Sequence, residues 1–260
     1  MSSSNGFQFI ESDLAIVRYV HELRIATIDN VAELSDRSYK QTQKRLSKLE
    51  EAGYLTCYSR RPNKHVYGLA RKGVSVLIEQ GFAPRELAER RLRENELHEF
   101  GIRHAIFIAN IHVKLLRLAR AQSLAIPIWV EGSALWDSVT TSDDVSMPIR
   151  PDARFAIEGP AGRAHYFLEA DRGTMAHSRM REKITGYAAY FQQQRHGKKY
   201  PGMKVFRVAT ITETRGRADS LAAEYKTMMP AAWLAAYPVM AFEDLGIDRL
   251  TPELAGDKRA

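Results

Sequence analysis

The chain has a single cysteine, Cys57, among its 260 residues. That excludes an intrachain disulfide and a cysteine-rich zinc site, and it fits a reducing compartment. Long apolar runs are missing too. The most apolar stretch, Ala105 to Leu118, is interrupted by His112, Lys114 and Arg117 and is too short to span a bilayer. The first residues, MSSSNGFQF, contain no basic stretch followed by an apolar one, so no signal peptide is expected. There is no Gly-rich phosphate loop and no Gly-x-Ser-x-Gly elbow. His98, His104 and His112 fall on one predicted helix without an i, i+4 pair, which argues against zinc. These absences leave a cytoplasmic protein with no membrane partner as the expectation.

What is present is positive charge. Lys plus Arg exceeds Asp plus Glu by 38 to 31, giving +7. The excess suits a polyanion, although charge alone does not separate nucleic acid from an acidic membrane surface. The length allows two domains, and the pattern divides the chain at residues 10–82, 83–122 and 123–250. The first segment reads as helix, helix, helix, hairpin, helix. Thr27 is placed to cap a short second helix, Ser35 or Asp36 to open the third, and Gly53 to end it. On a helical wheel the third helix turns Thr42, Leu46 and Leu49 inward. Arg37, Lys40, Gln41, Lys44 and Lys48 lie on the opposite side. The turn Arg60-Arg61-Pro62-Asn63-Lys64 adds cations at a hairpin tip. Such side chains pair with phosphates and read base edges. The run from Arg45 to Leu55, RLSKLEEAGYL, is similar to the "L..LE..GYL" junction of winged-helix regulators, which joins a recognition helix to its wing. The expected partner is double-stranded DNA, contacted by Arg37, Lys40, Gln41, Lys44, Arg45, Lys48, Arg60, Arg61 and Lys64. The alternative is a solvated basic face, or a winged helix that binds protein.

Residues 83–122 read as connecting helices and a candidate dimer contact, so a homodimer is expected. Beyond them, β-like runs at about 127–131, 152–158, 164–170 and 204–212 alternate with helices near 174–194 and 217–228, an α/β pattern. Ser138 to Arg150 reads as a loop, and Gly159-Pro160-Ala161-Gly162 as a hairpin turn. Asp152 opens one strand and Glu169 closes the next, which can bring two carboxylates to one hairpin edge. Hard oxygen ligands of this kind suit Mg²⁺. Lys183 and Tyr187, four apart, can face the same place.

These residues resemble the PD-(D/E)xK nuclease superfamily, a restriction-endonuclease-like α/β fold. One departure is plain: the lysine position of Glu-x-Lys holds Asp171. Some members of that superfamily place the lysine on the next helix, where Lys183 lies. The winged helix, His104, "Pro-Asp-Ala" at 151–153, "Glu-Ala-Asp-Arg-Gly-Thr" at 169–174 and Lys183-x-x-x-Tyr187 together resemble the replication-relaxation family. The resemblance spans most of residues 10–212 and implies a role in replication, mobilisation or regulation of plasmids and other mobile elements. Two functions follow. One is a transcriptional or replication regulator whose nuclease-like domain is inactive and needs no cofactor. The other is a Mg²⁺-dependent endonuclease with Asp152 and Glu169 on the metal, Lys183 on the phosphate and Glu131 assisting.

Overall fold

The computed structural model describes residues 7–61, 64–94, 99–140 and 144–251; side chains at 59–61, 64, 91, 93, 94, 99 and 100 lie outside that description. The chain divides into two compact units, Met1–Val113 and Lys114–Ala260, with the boundary inside one helix. Both helices and sheets are well represented, making this a mixed α/β protein.

The first unit contains α1 (Glu11–Glu22), β1 (Ile25–Thr27), α2 (Ile28–Ser35), α3 (Tyr39–Glu51), β2 (Leu55–Arg61), β3 (Lys64–Leu69), α4 (Arg71–Glu79), α5 (Arg85–Glu94) and the start of α6 (Glu99–Ala121). Its strands form one antiparallel sheet in the order β1-β3-β2, so a three-helix core carries a hairpin wing. Thr27 caps α2: its hydroxyl accepts from the Asn30 N–H at 3.2 Å, and the Asn30 side chain returns to the Thr27 N–H at 2.9 Å. Ser35 and Asp36 do not open α3, contrary to the sequence expectation. Ser35 ends α2, Asp36 turns left-handed at φ 52°, and Ser38 is the cap of α3. At the other end Gly53, at φ 82°, closes α3 as expected. The Tyr54 N–H reaches the Leu49 carbonyl and the Gly53 N–H the Glu50 carbonyl, both at 2.9 Å, a Schellman arrangement. Leu46 and Leu49 are wholly buried with Ile16, Val17 and Val20 of α1. The first part of α6 adds to this unit: Ala105 packs with Ile25 and Val66, and Asn110 accepts from Asn30 at 2.8 Å.

The second unit continues with the rest of α6, β4 (Ala125–Glu131), β5 (Asp137–Thr140), β6 (Ser146–Ile149), β7 (Ala153–Gly159), β8 (Gly162–Asp171), α7 (His177–Gln192), α8 (Arg195–Lys199), β9 (Arg207–Thr212), α9 (Arg215–Met228), α10 (Ala231–Leu234), β10 (Val239–Ala241) and α11 (Ile247–Leu250). Five strands make a mixed sheet in the order β10-β9-β8-β7-β4, antiparallel from β8 to β4 and parallel from β8 to β10. The expected turn between Gly159 and Gly162 joins β7 to β8. The span 138–150 is not all loop: β5 and β6 pair antiparallel, and their Val139 and Ile149 are buried with α7.

Strand alternation sorts the side chains of this sheet. Phe167, Glu169 and Asp171 of β8 lie beside Val208, Thr210 and Thr212 of β9. Phe167 and Val208 share a buried cluster with Met180, Ile184, Tyr187, Leu221 and Tyr225, so α7 and α9 cover this face. Tyr166 and Leu168 point the other way with Phe155 and Ala153.

Candidate functional site

In the first unit α3 follows α2 across a tight turn, the arrangement of a helix-turn-helix. Along α3, Lys40, Gln41, Lys44 and Lys48 are exposed, while Thr42, Leu46 and Leu49 are buried. The lysines recur every four residues and therefore form one stripe. No ion pair joins any of the three to an acid among the described residues. Like charges at this spacing repel by about 0.2–0.5 kcal/mol per pair in an isolated helix. The sequence thus carries a small local cost for keeping this face cationic. A concavity of about 480 Å³ is lined by Arg37, Gln41, Lys44, Arg45 and Lys48.

Three of the expected contact residues have other or additional duties. Arg37 lies in the turn before α3 rather than on the helix. Gln41 folds back on the cap, accepting from the Ser38 N–H at 3.3 Å and from its hydroxyl at 3.0 Å. Arg45 makes a two-pronged ion pair with Asp13, which is completely buried on α1, and donates to the Gln8 carbonyl at 3.0 Å. Arg45 is therefore a clamp between α1 and α3. The sequence expectation made Arg45 a DNA contact and could not reveal an acid 32 positions away. Arg60, Arg61 and Lys64 stand at the wing tip, where β2 pairs with β3; only their backbones are described. Pro62 and Asn63 lie outside the described residues, as does His98.

In the second unit, α7 closes over the end of β8 and brings together three of the expected residues with Tyr187. Glu169 is 1% exposed. Its Oε2 takes the Lys183 ammonium, and its Oε1 accepts from the Tyr187 hydroxyl at 2.6 Å. Asp152, just ahead of β7, accepts the Ala170 N–H on Oδ2 at 2.7 Å. Burial pushes the Glu169 carboxyl above its ordinary value, opposed by Lys183 and reinforced by the nearby Asp152 charge. Burial would depress Lys183, but the Glu169 and Asp152 carboxylates more than offset it and hold the ammonium protonated. Burial, then Glu169, raises the Tyr187 hydroxyl well above the usual phenol range.

Glu131 does not join them. It pairs across the sheet with Ala153, on the side opposite Glu169, and accepts from the Trp129 indole at 2.7 Å. Asp171, which stands where the nuclease pattern has lysine, is 3% exposed and accepts from Arg217 at 2.7 Å and from the Gly173 N–H at 2.8 Å. Arg172 pairs with Glu213 instead. Arg217 was invisible to sequence reasoning, because its partner lies 46 positions away. Among the described residues, no group of three or more His, Cys, Asp or Glu is placed to hold a metal ion.

A family model described as Replication-relaxation matches residues 17–206, well over half of the chain. The chain belongs to the replication-relaxation family. The match takes in α3, the wing, the hairpin of β7 and β8, and α7. No curated protein matches this family member. A solved structure of the restriction endonuclease FokI is similar at 9% identity with a TM-score of 0.33, over 88% of this replication-relaxation chain and 42% of that one. The chain therefore spans less than half of that structure's length. No helix among the described residues is long and apolar enough to cross a membrane.

Proposed function

We propose that this replication-relaxation chain is a cytoplasmic, homodimeric regulator of replication, mobilisation or transcription on mobile elements, and that it grips duplex DNA through α3 and its wing. The observation that carries the reading is the stripe of Lys40, Lys44 and Lys48, exposed and paired with no acid among the described residues, on the second helix of a helix-turn-helix. A recognition helix enters the major groove and uses such cations on phosphates and base edges. Arg37 lies at the near end of that stripe, and the wing tip adds Arg60, Arg61 and Lys64. Arg45 supports the site by fixing α3 on α1. Two protomers would meet two half-sites, which multiplies the affinity of one module.

In this reading the second unit is a scaffold that works without a cofactor. Both Glu169 oxygens are engaged inside the protein, one by an ammonium and one by a phenol, and one Asp152 oxygen is held by a backbone N–H. Mg²⁺ needs a shell of six oxygens with carboxylates free to turn toward it. The donor set as arranged does not fit that ion. The endonuclease reading draws on the same cluster, since Asp152, Glu169 and Lys183 do converge.

The test is a gel shift with the full chain on duplex DNA from its own element, beside cleavage of supercoiled plasmid with Mg²⁺ or Mn²⁺. The expected result is binding that weakens strongly in the Lys40→Ala, Lys44→Ala, Lys48→Ala triple variant, without nicking. Nicking by the wild type that disappears in Asp152→Ala, with binding retained, would establish the nuclease instead.

A further inference from the structure

Away from the carboxylate cluster, the second unit carries two concavities that share a wall. One, of about 420 Å³, has Phe206 and Tyr237 as its floor with Val205, Arg163 and Arg207 around it. The other, of about 670 Å³, lies along Lys198, Gly202 and Lys204. Phe191 and Trp233 line both. These rings are 40% and 39% exposed, and Val205 is 64% exposed, which is unusual for large apolar side chains gathered in one place. The Phe191 ring is held by its neighbours and the Trp233 backbone by a short helix. Phe191 stacks on the His196 ring at 5.3 Å and meets Phe206 edge-on at 5.8 Å. Trp233 sits on α10, a single turn fixed by the Trp233 N–H on the Pro230 carbonyl and the Ala236 N–H on the Trp233 carbonyl, each at 2.9 Å.

The charge around these rings has one sign. Among the described residues, no aspartate or glutamate lines either concavity. Lys198 and Lys204 are exposed and pair with no acid among those residues. Arg163 stands at the rim, where it also pairs with Glu158, and Arg207 donates to the Tyr166 hydroxyl at 3.2 Å. Half-exposed aromatic faces flanked by cations on both sides match a chain of anionic phosphates that carries flat rings. In a duplex those rings are stacked on each other and cannot lie on Phe191 or Trp233; in a single strand they are free to do so. We infer that this double groove binds single-stranded nucleic acid, with bases stacked on Phe191 and Trp233 and phosphates at Lys198, Lys204 and the two arginines. The site is built from residues of the second unit alone and does not rest on the duplex-binding reading. It gives a replication-relaxation protein a means of holding an opened strand.

The experiment is fluorescence anisotropy of the full chain with a labelled oligothymidylate of about 15 nucleotides, within the site sizes such grooves use. A duplex hairpin run in parallel and thermal unfolding of every variant serve as controls. Trp233→Ala and Phe191→Leu should each weaken oligothymidylate binding about tenfold, as loss of one stacked base does, and leave duplex binding unchanged. Trp233→Phe should retain most of the affinity. Lys198→Ala and Lys204→Ala, on the surface and without risk to the fold, should each lower the salt slope by about 0.7. The triple lysine variant of α3 should keep its oligothymidylate binding. Three results would overturn the inference: full affinity in both aromatic variants, parallel loss of duplex binding in them, or displacement of the oligonucleotide by polyglutamate as readily as by unlabelled oligothymidylate. The last would point to an acidic protein segment as the occupant.

Discussion

On α3, Lys40, Lys44 and Lys48 stand in solvent with no acidic partner among the described residues, whereas on α7 Lys183 is drawn onto a buried carboxylate. The same contrast separates neighbours within the first unit: Lys44 is exposed and Arg45 is locked on Asp13. Cations that serve the fold sit against a buried acid, and most of their charge is neutralised there. Cations left unpaired in a row add nothing to the fold and are available to an outside polyanion. The second unit extends the lesson. Arg217 on Asp171 and Arg172 on Glu213 are largely buried pairs, while Lys198 and Lys204 beside the aromatic groove pair with no acid among the described residues.

Breaking the buried pair on α7 should have the largest effect. Glu169→Ala leaves the Lys183 ammonium and the Tyr187 hydroxyl without their acceptor, and should cost about 3–5 kcal/mol. Urea unfolding followed by the fluorescence of Trp129 and Trp136 checks it. A loss under about 1 kcal/mol would mean that the cluster is not structural, which would strengthen the catalytic reading. Arg45→Ala should cost somewhat less, about 2–3 kcal/mol, because Arg45 is partly exposed although its stranded partner Asp13 is wholly buried. Thermal unfolding of the variant against Lys44→Ala makes the comparison directly, and equal melting points for the two would collapse it.

The smallest effect concerns Asp137. Burial would raise its carboxyl, but the Ser138 N–H, Arg195 and Tyr190 together hold it below the ordinary 3.8. Its folded value is depressed, so its stabilisation is complete above pH 3.8 and is lost as pH falls through the folded value. Asp137→Asn should therefore flatten the acid side of the stability curve and leave neutral pH nearly unchanged. An acid limb as steep as that of the wild type would mean that Asp137 does not contribute to the loss of stability in acid.

Much of the first unit was legible in the sequence because its signals are local. The cap at Thr27, the stop at Gly53 and the inward Thr42, Leu46 and Leu49 depend on neighbours within one or two turns. The start of α3 was not, since Ser35, Asp36 and Ser38 can all cap and only the left-handed turn at Asp36 selects the last. β1 is three residues long, too short for a period to show. β5 and β6 were hidden for a related reason: each has four residues, and Pro148 interrupts the second. At the carboxylate cluster, residue types and spacing led to Asp152, Glu169, Lys183 and Tyr187. They did not reveal that Glu131 faces the other side of the sheet, because that depends on cross-strand register. The Phe191 and Trp233 platform joins residues 42 positions apart, and nothing local to either marks it.

If the lysines of α3 meet DNA phosphates, each of them contributes to the salt dependence of binding. The most direct measurement is the salt dependence of duplex binding for the wild type, Lys44→Ala and Lys48→Ala, with melting temperatures recorded alongside. Each variant should lower the slope of log K against log salt by about 0.9, the release of one phosphate contact, while its stability stays within about 0.5 kcal/mol of the wild type. A slope unchanged in both variants would contradict that contact and take α3 out of the DNA interface.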